Sequence, residues 1–106
     1  MTVRVLSIEP IHGSTDDHYA ATYVVRADVD ARPYTFQACV ELADIGARTV
    51  QCANLCDSQS KELFRWRQNI PPRINTLVLA VYNKKPVTFP VDVSELWPAA
   101  QSAARA

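Results

Sequence analysis

The sequence predicts a small α+β domain in which an antiparallel or mixed β-sheet carries one main helix packed on one face. Three observations predict it: alternating apolar residues over 19–43, a helical apolar pattern over 59–70, and a length of 106 residues, which is typical of one domain. The predicted element order is β-β-β-β-α-β-β. We expect residues 1–97 to form this domain and the alanine-rich residues 98–106 to be a frayed tail.

The first strand is predicted at residues 2–9, and a polar loop follows it at 11–18. This loop contains four residues of the types that bind metal ions, His12, Asp16, Asp17 and His18. Their spacing matches no metal-site signature, and a flexible loop loses entropy when it gathers ligands. A solvated turn is therefore the expected structure, and no metal site is predicted there.

A β-hairpin at about residues 19–43 is the clearest pattern in the chain. Apolar and polar residues alternate through both of its arms, as in strands that bury one face. Apolar residues of the two arms must face each other, because a shift by one residue would move the apolar set of one arm to the opposite face of the sheet. The predicted pairs are Val29 with Tyr34, Ala27 with Phe36 and Tyr23 with Val40. Residues 30–33 then form the turn.

The second half of the chain is predicted to hold the fourth strand, the helix and a closing hairpin. A turn at 44–47, in which Gly46 supplies a positive φ, leads to the fourth strand at about 48–55. The helix is predicted at 59–70, with Asp57 or Ser58 as its N-cap and Pro71-Pro72 as its end. Its apolar face is predicted to consist of Gln59, Leu63, Trp66 and Ile70, with Phe64 at the margin. Strands at 75–82 and 87–93 form the closing hairpin, with Pro90 on an edge strand.

Composition and cysteine usage indicate a globular protein of the cytoplasm. Apolar residues make up 48% and charged residues 21%, which is close to the average for soluble domains. Apolar and polar residues alternate from the start of the chain, so the continuous apolar stretch of a secretory signal is not expected there. The longest apolar run, 77–82, is too short to span a bilayer. Cys39, Cys52 and Cys56 are too few for a disulfide framework and are expected to be reduced. Neither their spacing nor that of the histidines predicts a catalytic, metal or cofactor site.

Charge is unevenly distributed although the net charge is zero. Residues 1–60 hold four basic and eight acidic residues, a balance of −4, whereas residues 61–85 hold six basic and one acidic residue, a balance of +5. A basic surface beside Trp66 could bind the phosphates and stack on a base of a nucleic acid. The candidate residues are Arg65, Arg67, Arg73, Lys84 and Lys85. The simpler interpretation is a solvated helix face with Trp66 in the core.

These observations favour a small intracellular accessory protein that binds another protein and is not an enzyme. The candidate protein-binding residues are the acids Asp28, Asp30 and Glu41 on the polar face of the hairpin, which could cover a basic partner. An exposed sheet edge could instead accept a strand of a partner or of a second copy of the chain. The alternative is a nucleic-acid-binding module that uses the basic segment 61–85, and the third possibility is a small enzyme that binds its ligand between helix and sheet.

Overall fold

The computed structural model describes residues 1–11 and 19–94. The loop that contains His12, Asp16, Asp17 and His18 lies outside the described residues, and so does the predicted tail at 98–106.

Five antiparallel strands form one sheet in the described part of the chain. They are β1 Val3–Pro10, β2 Ala21–Val29, β3 Arg32–Ile45, β4 Arg48–Leu55 and β5 Val91–Asp92. Their spatial order is β4-β3-β2-β1-β5, so β4 and β5 are the two edges. The prediction of an α+β domain with an antiparallel sheet is thereby confirmed.

The hairpin of β2 and β3 is confirmed, but its predicted register is wrong by two residues. Val29 lies opposite Arg32, Val25 opposite Phe36 and Tyr23 opposite Ala38. The turn consists of Asp30 and Ala31 alone, with φ values of 49° and 66°, as in the two-residue turns that match the twist of a hairpin. Because the shift is even, the predicted apolar faces are unchanged.

The predicted helix at 59–70 is wrong in its extent, and the strand predicted at 75–82 is a helix. Asp57 is the N-cap, in agreement with the prediction, but α1 covers only Ser58–Leu63. A second helix, α2, covers Ile70–Tyr82, with Pro71 and Pro72 in its first turn. Proline suits that position because the first amides of a helix have no partner within it. Pro71-Pro72 therefore begins a helix instead of ending one.

The buried face of α1 also differs from the predicted one. Phe64 is 2% exposed and Ser60 is 1% exposed, whereas Trp66, which the helical pattern places in the core, is 81% exposed. Gln59 is exposed as well. The reason is that α1 ends at Leu63, so a helical projection no longer describes the direction of residue 66.

One core joins the sheet to both helices. The inward-facing residues of β1 to β4 belong to the same buried cluster as Phe64, Ile70, Ile74 and Val78. The ring of Phe64 meets that of Phe36 edge-on at 5.4 Å between centroids, a favoured arrangement of aromatic rings. Among the described residues, no helix has the length and apolar character needed to cross a membrane.

The last described segment closes the sheet at β1. Only two residues of the strand predicted at 87–93 are in a strand, and they pair with β1. The amide of Val93 donates to the carbonyl of Val3, the Ser94 hydroxyl accepts from the Val3 amide, and Arg73 of α2 donates to the Ser94 carbonyl. Arg73 therefore ties α2 to this segment.

The Asp92 carboxylate is expected to stabilise the folded protein at neutral pH and to lose this effect in acid. Hydrogen bonds from Ser94, together with the nearby charge of Arg4, lower the pKa of its carboxyl below the ordinary value of 3.8. A lowered pKa in the folded state means that the stabilisation is present above the ordinary pKa and is lost as the pH falls through the folded one. We expect Asp92→Asn to melt at a lower temperature than the wild type at neutral pH, and the difference to shrink as the pH falls below 3.8 and through the lowered pKa of the folded state. Thermal unfolding at a series of pH values measures both; a difference that persists in acid would contradict this account.

Candidate binding surfaces

The three acidic candidates do not form one surface. Asp28 is half-buried on β2, opposite Arg4 of β1, and Asp30 lies in the adjacent turn. The Asp30 carboxylate accepts a hydrogen bond of 2.8 Å from the Thr2 amide, so it holds the start of β1. Glu41 is exposed on β3, eight residues from the position opposite Asp28, which is about 27 Å along a strand. Only Asp28 and Asp30 are near each other, and the Asp30 carboxylate is already bonded to the Thr2 amide.

The five basic candidates also separate into groups. Arg65 and Arg67 precede α2 and are exposed, whereas Lys84 and Lys85 follow its last residue and are exposed there. The 13 residues of α2 place these two pairs about 20 Å apart. Arg73 lies between them on α2, half-buried, with its guanidinium bonded to the Ser94 carbonyl.

Trp66 is an exposed aromatic residue between two arginines. The guanidinium of Arg65 lies 5.3 Å from the centroid of its ring, within the range of a cation–π contact. Arg65 also lies 4.0 Å from the Glu62 carboxylate, and both of these charged side chains are well exposed, so this ion pair contributes little to stability. The sequence places Arg65, Trp66 and Arg67 together, but the exposure of Trp66 depends on the end of α1 at Leu63.

The hairpin of β3 and β4 extends beyond the rest of the sheet. The pairing of β2 with β3 ends at Val40, so the residues from Glu41 to Cys52 form a two-stranded ribbon, and all of them are exposed. Three large apolar side chains lie on this ribbon, namely Leu42, Ile45 and Val50, with exposures of 50%, 63% and 37%. Side chains of this kind are usually buried, so the ribbon is a candidate contact surface.

The outer edge of β4 carries unpaired backbone groups. The Cys56 amide donates to the Gln37 carbonyl, and in an antiparallel pair the residues that bond to the neighbour alternate along the strand. The even-numbered residues of β4 therefore bond to β3, and Thr49, Gln51 and Ala53 direct their backbone amides and carbonyls away from it. In the described chain, β4 has β3 as its only neighbour in the sheet.

The side chain of Gln51 is attached to the end of α2. Its Nε2 donates to Asn83 Oδ1 at 3.0 Å, and Asn83 Nδ2 donates to Gln51 Oε1 at 2.8 Å. This reciprocal pair keeps the side chain on the inner side of the sheet, which leaves the backbone edge of β4 uncovered by it. The sequence predicts the strand but gives no sign of which strand lies at the edge.

A cavity lies beside the other end of β4, where Leu55 meets α1 and the first turn of α2. Its volume is about 290 Å³, and Phe64 and Pro71 supply further apolar walls. Lys61, Arg65 and Asn75 provide polar groups around it. The cavity lies between helix and sheet, the region in which the third possibility places a small ligand.

The cysteines show no arrangement that could bind a metal. Cys39 is buried, Cys56 is half-buried and Cys52 is exposed, and all three are free thiols. No group of three potential metal ligands occurs within residues 1–11 and 19–94.

Comparison with known proteins gives no relative for this fold or sequence. No protein-family model, no curated protein sequence and no solved structure matches the chain significantly. What the chain does must therefore be inferred from its own residues.

Proposed function

We propose that this protein acts by binding another polypeptide, which adds as a strand along the open edge of β4. The observation that carries the proposal is the pair of exposed residues Thr49 and Gln51, whose backbone groups point outward; Ala53, the next outward position, is buried. Peptides that add to a sheet gain affinity from such main-chain groups and specificity from alternate side chains.

The two edges of the sheet differ in how they are protected. Strand β5 has two residues and directly follows Pro90, and short strands and prolines are usual protections of an edge. Strand β4 has eight residues, no proline and no lysine, and its pairing with β3 runs from Leu55 to Arg48 without a bulge. The exposed part of this edge, residues 48–52, is unprotected and favours pairing with another chain.

The chemistry of β4 indicates what the added strand should contain. Arg48 is the only charged residue of β4, and Val50 lies on the same face two positions along. An added strand would place one of its residues beside each of them. A partner segment with an apolar residue near Val50 and an acidic residue near Arg48 fits best. Ile45, which pairs with Arg48, lies on the same face as Val50 and would extend its apolar surface, whereas Leu42 pairs with Gln51 on the opposite face.

Selection of binding peptides from a random library tests the proposal and needs no identified partner. Peptides selected on the wild-type protein are expected to bind Gln51→Pro about tenfold more weakly. Proline removes one outward amide and obstructs the edge, and the loss of one or two hydrogen bonds corresponds to about that factor. Titration calorimetry measures the affinities.

Gln51→Ala is the matched control. Both variants lose the side-chain pair with Asn83, and neither removes a backbone bond to β3, so they differ at the outer edge alone. We expect Gln51→Ala to bind the peptides as the wild type does. Equal binding by Gln51→Pro would refute strand addition, and a dimer of the free protein that Gln51→Pro abolishes would identify a second copy as the occupant.

A further inference from the structure

The accessible part of the β4 edge is short and is bounded on both sides. Residues 48–52 are exposed, a turn at 46–47 precedes them, and the next residue, Ala53, is buried. Within this stretch Thr49 and Gln51 direct their amides and carbonyls away from β3. An added strand that fits here therefore has the same short length and offers two outward residues of its own.

A second copy of this chain carries such a strand. A two-fold axis perpendicular to the sheet reverses the direction of a strand, so the β4 edges of two copies meet antiparallel. With Val50 on the axis, Thr49 of each copy lies opposite Gln51 of the other. Each of these two pairs exchanges two backbone hydrogen bonds. The edge of each copy then satisfies the outward groups of the other.

The ends of the exposed stretch favour this register over its neighbours. Residues 48–52 of the two copies face each other in opposite directions, so the added strand ends before it reaches the buried Ala53. A register with its axis at Thr49 pairs Gln51 with residue 47 of the turn, and one with its axis at Gln51 pairs Thr49 with Ala53. Only the first register places an exposed strand residue opposite each outward residue.

The side chains on the outer face of the ribbon agree with this register. Val50, which is 37% exposed, meets Val50 of the second copy in a pair without hydrogen bonds, in which the side chains lie close together. Arg48 lies opposite Cys52 of the second copy, and Glu41 is the neighbour of Cys52 on β3. The long arginine side chain passes over the small cysteine toward the Glu41 carboxylate, across two strand spacings or about 10 Å.

We propose that this protein forms a two-fold symmetric dimer in which β4 pairs with β4 of a second copy and Val50 lies on the axis. The inference rests on strand addition at β4, for which it names the occupant. The second copy supplies both features that β4 favours in a partner, an apolar residue at Val50 and an acidic residue near Arg48. Because the chain has no net charge, two copies do not repel each other at long range.

Sedimentation equilibrium of the full chain at increasing concentration tests for the dimer. The wild type is expected to reach twice the mass of one chain at concentrations up to about 1 mM, and so is Gln51→Ala. Gln51→Pro is expected to dimerise at least about tenfold more weakly, because the proline removes one outward amide from each copy.

Reversal of charge tests the contact between Arg48 and Glu41. Arg48→Glu and Glu41→Arg each place like charges at both symmetric contacts, so each is expected to weaken the dimer by about tenfold or more. The double variant restores opposite charges and is expected to dimerise as the wild type does. Arg26→Glu, an exposed change on β2, is the matched control and should leave the dimer unchanged.

An engineered disulfide measures the register. Val50→Cys in a Cys52→Ser background is expected to form a covalent dimer on oxidation, because the Cα atoms of such a pair lie about 4.5 Å apart, within the range of a disulfide. Ala43→Cys in the same background is the control, since this exposed neighbour of Val50 on β3 lies about 14 Å from its own copy. The wild-type Cys52 residues are also about 14 Å apart and should not link.

Four results would overturn the dimer. They are a chain that stays monomeric up to about 1 mM, a dimer that Gln51→Pro leaves unchanged, a double charge variant as weak as the single ones, and a disulfide through Cys52 of the wild type. If the chain is monomeric while selected peptides still bind Gln51→Pro more weakly than the wild type, the dimer is refuted and strand addition stands. If those peptides bind both proteins equally, strand addition itself fails.

Discussion

Replacement of Phe64 by alanine is expected to lower the free energy of unfolding by about 3 to 5 kcal/mol, the usual range for a buried phenylalanine. Phe64 is 2% exposed and its ring packs on Phe36, so its removal leaves a void between α1 and the sheet. A loss of that size is a large fraction of the roughly 5 to 15 kcal/mol that stabilises a domain. Urea unfolding followed by circular dichroism measures it.

Trp66→Ala is the matched control, since it removes a larger aromatic side chain two residues away. Because Trp66 is 81% exposed, its loss should change the free energy of unfolding by no more than about 0.5 kcal/mol. A helix continuing to residue 70 with Trp66 in its apolar face would give the opposite ranking. Equal losses in the two variants would contradict the end of α1 at Leu63.

The position of α2 shows what an apolar run leaves undecided. The residues from Leu77 to Tyr82 are all apolar or aromatic, and a run of this length suits a buried strand as well as a helix. The pattern that distinguishes them begins earlier, since Ile70, Ile74 and Val78 are four residues apart and are the buried residues of α2. Together with prolines at its start, that spacing is typical of a helix.

The hairpin shows which part of a register the sequence determines. Alternation assigns each residue to a face, and the faces of β2 and β3 agree with it. A register shifted by two residues preserves both faces, so alternation cannot choose between them. The conformation of the turn selects the register. Here the turn places Ala31 at a positive φ, which is uncommon for a residue with a Cβ atom. The hydrogen bonds between Asp30 and Thr2, the residue that precedes β1, hold this turn.

The candidate surfaces depend on tertiary structure to a greater degree than the strands do. Residues 48–55 are predicted as a strand from their sequence, but their place at the edge follows from the order of all five strands. The cavity beside Leu55 arises only because α2 is a helix that brings Asn75 toward α1. Local patterns carry neither kind of information.

Replacement of Asp57 by alanine is expected to cost about 2 kcal/mol, because one carboxylate connects β3 to α1. Its Oδ1 accepts from the Gln37 amide at 2.9 Å and from the Ser60 hydroxyl at 2.8 Å, and its Oδ2 accepts from the Ser60 amide at 2.8 Å. Loss of an N-cap alone costs about 1 kcal/mol. The Gln37 amide and the buried Ser60 hydroxyl lose an acceptor as well, and unpaired polar groups add to the cost.

Two further variants test whether the connection to β3 contributes beyond the cap. Asp57→Asn retains one oxygen that can cap α1 but cannot serve all three donors, so it should lose about half as much as Asp57→Ala. Ser58→Ala changes the exposed first residue of α1 and should stay within about 0.5 kcal/mol of the wild type. Urea unfolding gives all three values. If Asp57→Asn were as stable as the wild type, the N-cap alone would explain the stabilisation that Asp57 provides. The hydrogen bond to Gln37 would then contribute nothing to holding α1 against the sheet.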